Sequence, residues 1–325
     1  MSTTDKSGSI LVTGAAGFIG SHVTEALLKA GHRVIGLDNF DAFYPREAKA
    51  RNLAEATSAH AGRFELVEGD ITDVRAMGDL FTKTRPAGVI HLAAKAGVRP
   101  SLVDPAGYMH TNAVGTASIL QAASGAGCSR VVVASSSSVY GNAPSVPFHE
   151  DLDVSRPISP YAASKRATEI AAWTHHHLTG LPISCLRFFT VYGPRQRPDL
   201  AISQFLRRIS AGETIRMFGD GTTSRDYTFI GDIVRGILSA YERTPEHGSR
   251  VWNLGNSHPV SLREMISTIE RVVGKQASIV REEMQPGDVE RTYADVSRSG
   301  RELGFVPSTA FEDGVRAQWE WLRRL

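Results

Sequence analysis

With 325 residues, 42% of them hydrophobic, and a formal net charge of +2, the chain can bury a large core and hold one big domain with a smaller one. It carries no basic block of the kind that marks a nucleic-acid face, and no apolar run approaches the roughly 18–20 residues that span a bilayer, so neither nucleic acid nor membrane is an expected partner. The polar start, Met1 to Gly8, lacks the charged-then-apolar layout of a secretory signal, and Cys128 and Cys185 read as reduced thiols, so the expected location is the cytoplasm.

Ser9-Ile10-Leu11-Val12-Thr13 is a short apolar strand that empties into Gly14-Ala15-Ala16-Gly17-Phe18-Ile19-Gly20. This Gly-x-x-Gly-x-x-Gly turn feeds a helix that continues through Val23, Leu27 and Leu28 to a stop near Gly31. Glycines such as Gly14 and Gly17 let backbone approach a pyrophosphate, and the first helical N–H groups, at Phe18 and Ile19, face the anion. The next strand, Arg33 to Leu37, ends at Asp38, at about the 20-residue interval of a carboxylate that binds ribose hydroxyls. An acid there repels a 2′-phosphate, so the expected dinucleotide is NAD, not NADP.

The alternation continues through the strands Phe64–Val67, Gly88–Leu92, Val131–Val133 and Ile183–Leu186, each separated by a helix-length segment. That order argues for an α/β protein with a Rossmann-type, doubly wound parallel sheet and its ligand at the strand C-termini. Asp73, after the third strand, reads as a helix cap. Val131-Val132-Val133 runs on into Ala134-Ser135-Ser136-Ser137-Ser138, an apolar strand that ends in hydroxyls. Ser159 is placed as an N-cap and Pro160 as the first helical residue, which sets Tyr161 and Lys165 one turn apart on one face. An ammonium beside a phenol favours the phenolate and lowers its pKa from about 10 toward neutrality, making a usable proton acceptor. His175-His176-His177 cannot converge on one ion from adjacent helical positions, and no metal is expected.

Beyond Ile183 the composition shifts. Arg187 to Asp199 is dense in Pro, Gly and Arg and marks the passage into a substrate-binding part. Tyr227–Asp232 and Val251–Gly255 look like returns to the large sheet. The expected division is a dinucleotide-binding domain over 1–182, with return segments at about 228–255, and a smaller C-terminal α/β substrate-binding domain over 183–227 and 256–325. Phe311–Leu322 reads as an amphipathic helix on the smaller part.

Ser136, Tyr161 and Lys165 resemble the catalytic triad of the short-chain dehydrogenases/reductases. The likeness runs along nearly the whole chain and resembles the extended, nucleotide-sugar-modifying branch, closest to UDP-glucuronate 4-epimerases. It implies NAD held by Gly14, Gly17, Phe18, Ile19, Asp38, Asn39, Asp70, Ile71, Ala93, Ala94, Lys95, Asn112, Tyr161, Lys165 and Phe188, with Asp70 reading the adenine amine. It further implies a UDP-sugar held by Ser137, Ser138, Thr190, Arg197, Arg225, Gln285 and Asp288: Arg225 on the diphosphate, Asp288 on the uridine ribose, Arg197 anchoring the diphosphate or positioning the sugar. A homodimer through helices around Tyr108–Gly125 and Tyr161–Thr179 is implied too.

Related dehydratases carry an Asp-Glu pair where this chain has Ser137-Ser138, and related decarboxylases carry a Glu there. Small hydroxyls can instead hydrogen-bond a carboxylate on C5 of the sugar without repelling it. Thr190 stands where galactose-type epimerases have Asn, and Gln285 replaces their arginine. The resemblance therefore favours interconversion of UDP-glucuronate and UDP-galacturonate through a 4-keto intermediate. UDP-glucose or UDP-N-acetylglucosamine as substrate, dehydration or decarboxylation, and a non-catalytic NAD sensor stand as alternatives.

Overall fold

The computed structural model describes residues 8–283 and 291–325, so Gln285 and Asp288 lie outside the described residues. Its strands are β1 (Ser9–Thr13), β2 (Arg33–Asp38), β3 (Phe64–Glu68), β4 (Gly88–His91), β5 (Val131–Ser136), β6 (Ile183–Phe188), β7 (Thr190–Tyr192), β8 (Ile215–Phe218), β9 (Ser224–Phe229), β10 (Ser249–Leu254), β11 (Pro259–Ser261) and β12 (Ile279–Glu282). The helices are α1 (Phe18–Lys29), α2 (Arg46–Thr57), α3 (Val74–Thr84), α4 (Val98–Val103), α5 (Pro105–Met109), α6 (Gly115–Gly125), α7 (Pro160–Thr179), α8 (Ala201–Ala211), α9 (Ile230–His247), α10 (Leu262–Val273), α11 (Ser297–Leu303) and α12 (Phe311–Leu322).

Seven strands form one parallel sheet in the order β10-β6-β5-β4-β1-β2-β3. Strands buried on both faces must be apolar throughout, and the Val/Ile/Leu runs of β1, β4 and β5 meet that demand. Val23, Leu27 and Leu28 of α1 join Ile233 and Ile237 of α9 in the core on one face. Met77, Leu80 and Phe81 of α3 join Ile119 and Leu120 of α6 in the core on the other. The strand order reverses between β1 and β4, the point at which doubly wound sheets open a ligand crevice.

A third core gathers Ile202, Phe205 and Leu206 of α8, Met265 and Ile269 of α10, and Val315 and Leu322 of α12, against a small sheet of order β11-β9-β7. β8 and β12 pair separately, in parallel. β10 returns to the large sheet beside β6, as its sequence suggested. Tyr227–Phe229 does not: it lies in β9, parallel to β7 in the small sheet, and the chain crosses back only with α9 at Ile230. Its apolar residues fill the third core, which periodicity alone cannot distinguish from the first. The segment expected as one long helix from Tyr108 to Gly125 is interrupted by a π-turn at His110–Val114, a local widening of the kind often found at functional sites.

Candidate active site

At the end of β1, Gly14 adopts φ +69°, and a Cβ there would stand 2.9 Å from the backbone nitrogen of Ala93. A Cβ on Gly20 would lie 2.0 Å from the Gly14 carbonyl, so the turn and α1 pack at backbone contact. No side chain caps α1 at Gly17, which leaves its first N–H groups open to an anion. Such a cradle fits a dinucleotide pyrophosphate.

Asp38 ends β2 buried, with one oxygen accepting from the Ala16 N–H at 3.0 Å and the other from the Phe40 N–H at 2.8 Å. Asn39 donates to Asp70 at 3.0 Å. Burial alone would raise the Asp70 carboxyl, but the Thr72 backbone and hydroxyl together with Asn39 hold it below its ordinary value. The Ile71 side chain sits in the core against Gly115.

Behind the crevice runs a directed chain of hydrogen bonds. The Thr13 hydroxyl accepts from the N–H groups of Leu92 and Ala93, both at 3.1 Å, so its own proton goes to His91 Nδ1 at 2.7 Å. That fixes the tautomer: Nε2–H donates to Thr116 at 3.1 Å, and Thr116 donates to the Asn112 carbonyl at 2.5 Å. Burial lowers the His91 pKa to about 3, so the ring stays neutral. The Asn112 amide in turn bonds Lys95 N–H at 2.8 Å, Lys95 carbonyl at 2.9 Å and Ser164 at 2.9 Å. It thereby ties the stretch that includes Ala93 and Ala94 to α7. The Lys95 ammonium turns away to Asp104, at 2.6 Å.

α7 starts with Ser159 accepting the Ala162 N–H at 3.1 Å and Pro160 as its first residue. Tyr161 and Lys165 then fall on one face. Ser136, the last residue of β5, lies within hydrogen-bonding reach of the Tyr161 phenol, while its hydroxyl also donates to Ser138 at 3.1 Å. Tyr108 lies edge-on to the Tyr161 ring, with centroids 6.2 Å apart.

The expected depression of the phenol by Lys165 is not what the geometry gives. Burial holds Tyr161 above its ordinary value, and the groups that oppose this are Ser136 and the Arg197 guanidinium. The Lys165 ammonium is bound to the Ala134 carbonyl at 2.8 Å, and its own burial lowers its pKa to about 8. A cation buried against a carbonyl gives up part of its charge as the pH rises, which weakens its pull on the phenol.

Ser137 and Ser138 lie partly buried just past Ser136, and Phe188 is buried at the end of β6. Thr190 and Arg225 line a cavity of about 720 Å³, with Arg99, Arg208, Arg216 and Phe218 on its walls. The Arg99 guanidinium lies 5.0 Å over the Phe218 ring. Arg197 is held by Asp199 at 3.0 and 2.6 Å and lies 4.7 Å over the Phe43 ring. The three consecutive histidines diverge: His175 meets Ser124, His176 the Leu181 carbonyl, and His177 stacks on Trp173.

A family model described as GDP-mannose 4,6 dehydratase matches residues 11–318. The chain belongs to this nucleotide-sugar family of extended short-chain dehydrogenases/reductases. It is 41% identical over 316 residues to a UDP-glucuronate 4-epimerase from Thermodesulfobacterium geofontis, a match covering 97% of this chain and 96% of that protein. A crystal structure of UDP-glucuronic acid 4-epimerase from Bacillus cereus, in complex with UDP-glucuronic acid and NAD, superposes with a TM-score of 0.91 at 35% identity, covering 97% of this chain and 99% of the other. UDP-glucose 4-epimerase from Thermotoga maritima with UDP-glucose gives 0.89 at 31% identity, covering 97% and 99%.

Within this family frame the sequence reading passed over Thr13, His91, Tyr108 and Glu169. Tyr108 and Asn112 stand one turn apart, as do Lys165 and Glu169, so helical spacing from a residue already singled out was the signal for two of them. Thr13 directly precedes the glycine turn but carried no motif of its own.

Proposed function

We propose that the chain is an NAD-dependent UDP-sugar 4-epimerase acting on UDP-glucuronate to give UDP-galacturonate. The observation that carries this reading is Tyr161 of α7 within hydrogen-bonding reach of Ser136 at the end of β5, with Lys165 one turn on bound to the Ala134 carbonyl, and with hydroxyls at Ser137 and Ser138 where a dehydratase or decarboxylase needs carboxylates. Gly14, Gly17, Phe18 and Ile19 would hold the pyrophosphate of NAD through backbone, and Asp38, with an acceptor lone pair to spare on each oxygen, its ribose. Asn39 and Asp70 would meet the adenine end, and Ala93, Ala94, Asn112 and Phe188 the nicotinamide end. The chemistry NAD supplies when bound is reversible hydride transfer at the sugar's C4.

Tyr161 takes the proton of the O4 hydroxyl while Ser136 holds that oxygen, and it returns the proton after the 4-keto sugar has turned its other face. Lys165, fixed on the Ala134 carbonyl one turn along α7, contributes positive charge to the site. Ser137, Ser138 and Thr190 grip the C5 carboxylate and keep the β-keto acid from an orientation that loses carbon dioxide. Arg225 and Arg197 bind the anionic diphosphate, the planar guanidinium suiting paired oxygens. The buried free thiols of Cys128 and Cys185 suit a reducing, cytoplasmic setting.

We also infer a homodimer through the outer faces of α6 and α7. Ile170 and Trp173 of α7 are exposed, as are Met109 at the end of α5 and Val114 just before α6. Incubation of the purified protein with UDP-glucuronate, UDP-glucose and UDP-N-acetylglucosamine, with products resolved by chromatography, tests the substrate. UDP-galacturonate is expected; UDP-galactose alone, or a decarboxylated pentose, overturns the reading. Tyr161→Phe is expected to abolish turnover and keep bound NAD.

A further inference from the structure

The catalytic helix meets the catalytic strand through three side chains at four-residue intervals. Tyr161 of α7 faces Ser136 of β5. One turn on, Lys165 donates to the Ala134 carbonyl at 2.8 Å. A further turn on, Glu169 accepts from the Ser135 hydroxyl at 2.6 Å. Residues 134, 135 and 136 are therefore each held by a different turn of one helix. The deepest tie is also the most heavily bonded: Glu169 takes Arg187 Nε at 2.8 Å on one oxygen, and Arg187 Nη2 at 2.9 Å with Arg166 Nη1 at 3.0 Å on the other.

Arg187 belongs to β6, whose neighbour in the sheet is β5, with Arg187 in register opposite Ser135. Its remaining nitrogen donates to the Glu150 carbonyl at 3.2 Å, and its plane lies 4.8 Å over the Tyr140 ring. Glu169 thus grips two adjacent strands at once, at the level directly behind the Ser136 hydroxyl. Burying such a pair is an expensive way to gain stability, since apolar residues of similar volume commonly do as well or better. Its geometry suits alignment, because a bidentate guanidinium–carboxylate contact fixes both distance and angle.

We propose that Glu169, oriented by Arg187, is a positioning residue that sets the register of α7 on β5 and hence the placement of Tyr161 against Ser136. This rests on the reading of Ser136, Tyr161 and Lys165 as the catalytic set. The charge of Glu169 also reaches Lys165, whose ammonium is faced by His91 on β4 and by Cys185 on β6. His91 stays neutral at its value of about 3, and burial drives the Cys185 thiol far up, so neither supplies a counter-charge near neutrality. Glu169 opposes the lowering of Lys165 by burial.

The test compares Glu169→Gln, Ser135→Ala and the double variant Glu169→Gln/Arg187→Met in the NAD-loaded enzyme with UDP-glucuronate, alongside Tyr161→Phe. Glu169→Gln is expected to lower kcat about tenfold or more with KM little changed and NAD retained, as a misplaced reacting pair does. Its fall in kcat at high pH is expected about half a unit or more below that of the native chain, because the lysine loses its nearby anion. Ser135→Ala cuts the tie to β5 and leaves the charge, so it is expected to lower kcat without moving that limb. The double variant removes the buried unpaired arginine; it is expected to regain thermal stability without regaining kcat.

Native kcat and an unmoved limb in Glu169→Gln overturn the proposal, and so does recovery of kcat together with stability in the double variant. Should Glu169→Gln fail to fold, native kcat in Ser135→Ala, or recovery of kcat together with stability in the double variant, overturns it. Full turnover in Tyr161→Phe would instead remove the catalytic reading on which the proposal stands.

Discussion

Lys165 is 5% exposed and its bonded partner is a carbonyl, so the folded chain lowers its pKa to about 8 from the ordinary lysine value. The sign of the consequence is fixed by linkage. Between about pH 8 and about pH 10.4 the unfolded chain holds the proton and the folded chain has lost it, so stability rises with pH through that window. Lys165→Met removes the group and with it the slope. In NAD-free protein the variant is expected to be the more stable at pH 7, by no more than about 3 kcal/mol, with the gap narrowing toward pH 10. Thermal unfolding of both proteins across that range reads it directly, and parallel curves would contradict the burial argument. At Gly20, by contrast, sterics decide. A Cβ 2.0 Å from the Gly14 carbonyl must displace the turn, so Gly20→Ala is expected to purify with little NAD and to melt several degrees lower. The spacing of Tyr161 and Lys165 showed in the sequence because both lie on one helix. The Ala134 carbonyl that holds the lysine did not, because nothing in a backbone acceptor's residue type advertises it.

At the scale of elements, what the sequence displayed was whatever is decided locally. The central strands β1, β4 and β5 are built on apolar runs, α7 is announced by Ser159-Pro160, and α3 begins where Asp73 accepts the Ala76 N–H at 2.9 Å. Hidden from it were features decided by contacts between elements: the π-turn at His110–Val114, whose Asn112 carbonyl is shared by Thr116 and Thr168, and the placement of β9 in the small sheet. The segment from Gly193 to Asp199 is of the second kind. Arg195, at φ +62°, pairs with Glu25 of α1 and Glu55 of α2, both at 2.9 Å. The next residue, Gln196, accepts from Gln318 of α12 at 2.7 Å and from Ser203 of α8 at 3.0 Å. Arg197 then turns toward Tyr161. Arg195→Met strips two part-buried carboxylates of a partner and loosens this strap on the large sheet's helices, where the bond of His22 to the Pro194 carbonyl, at 2.9 Å, remains. The expected result is a loss of about 1–3 kcal/mol in stability, with KM for the UDP-sugar rising and bound NAD unchanged. An unaltered KM would show that the strap is placed by its other contacts, among them Gln196 and the Pro194 carbonyl, 2.9 Å from His22 Nε2.

For the whole molecule the open question is what covers the outer face of α6 and α7. Trp173 is 59% exposed and Ile170 52%, and they share that face with Met109 and Val114 of the preceding segment. Large apolar side chains scattered singly over a surface need no explanation, but Ile170 and Trp173 lie one turn apart on α7, the helix that carries Tyr161 and Lys165, while Met109 ends α5 and Val114 ends the π-turn, two segments that pack against α7. A two-fold axis through this face would bring each side chain against its own symmetry mate or near neighbour, the self-complementary arrangement that closed dimers require. Covering it would also press α7 onto β5 from outside, in the sense in which Lys165 and Glu169 draw it from within. The pair Ile170→Glu and Trp173→Glu places like charges on both sides of such an interface. Light scattering is expected to show the native chain at twice its monomer mass and the double variant at once. The melting temperature of the native chain is expected to rise with protein concentration, and that of the variant to stay constant. Because α7 would then be held from one side only, kcat is expected to fall in the variant while NAD stays bound. A monomeric native chain with full activity would show that α7 needs no second subunit to hold the tyrosine in place.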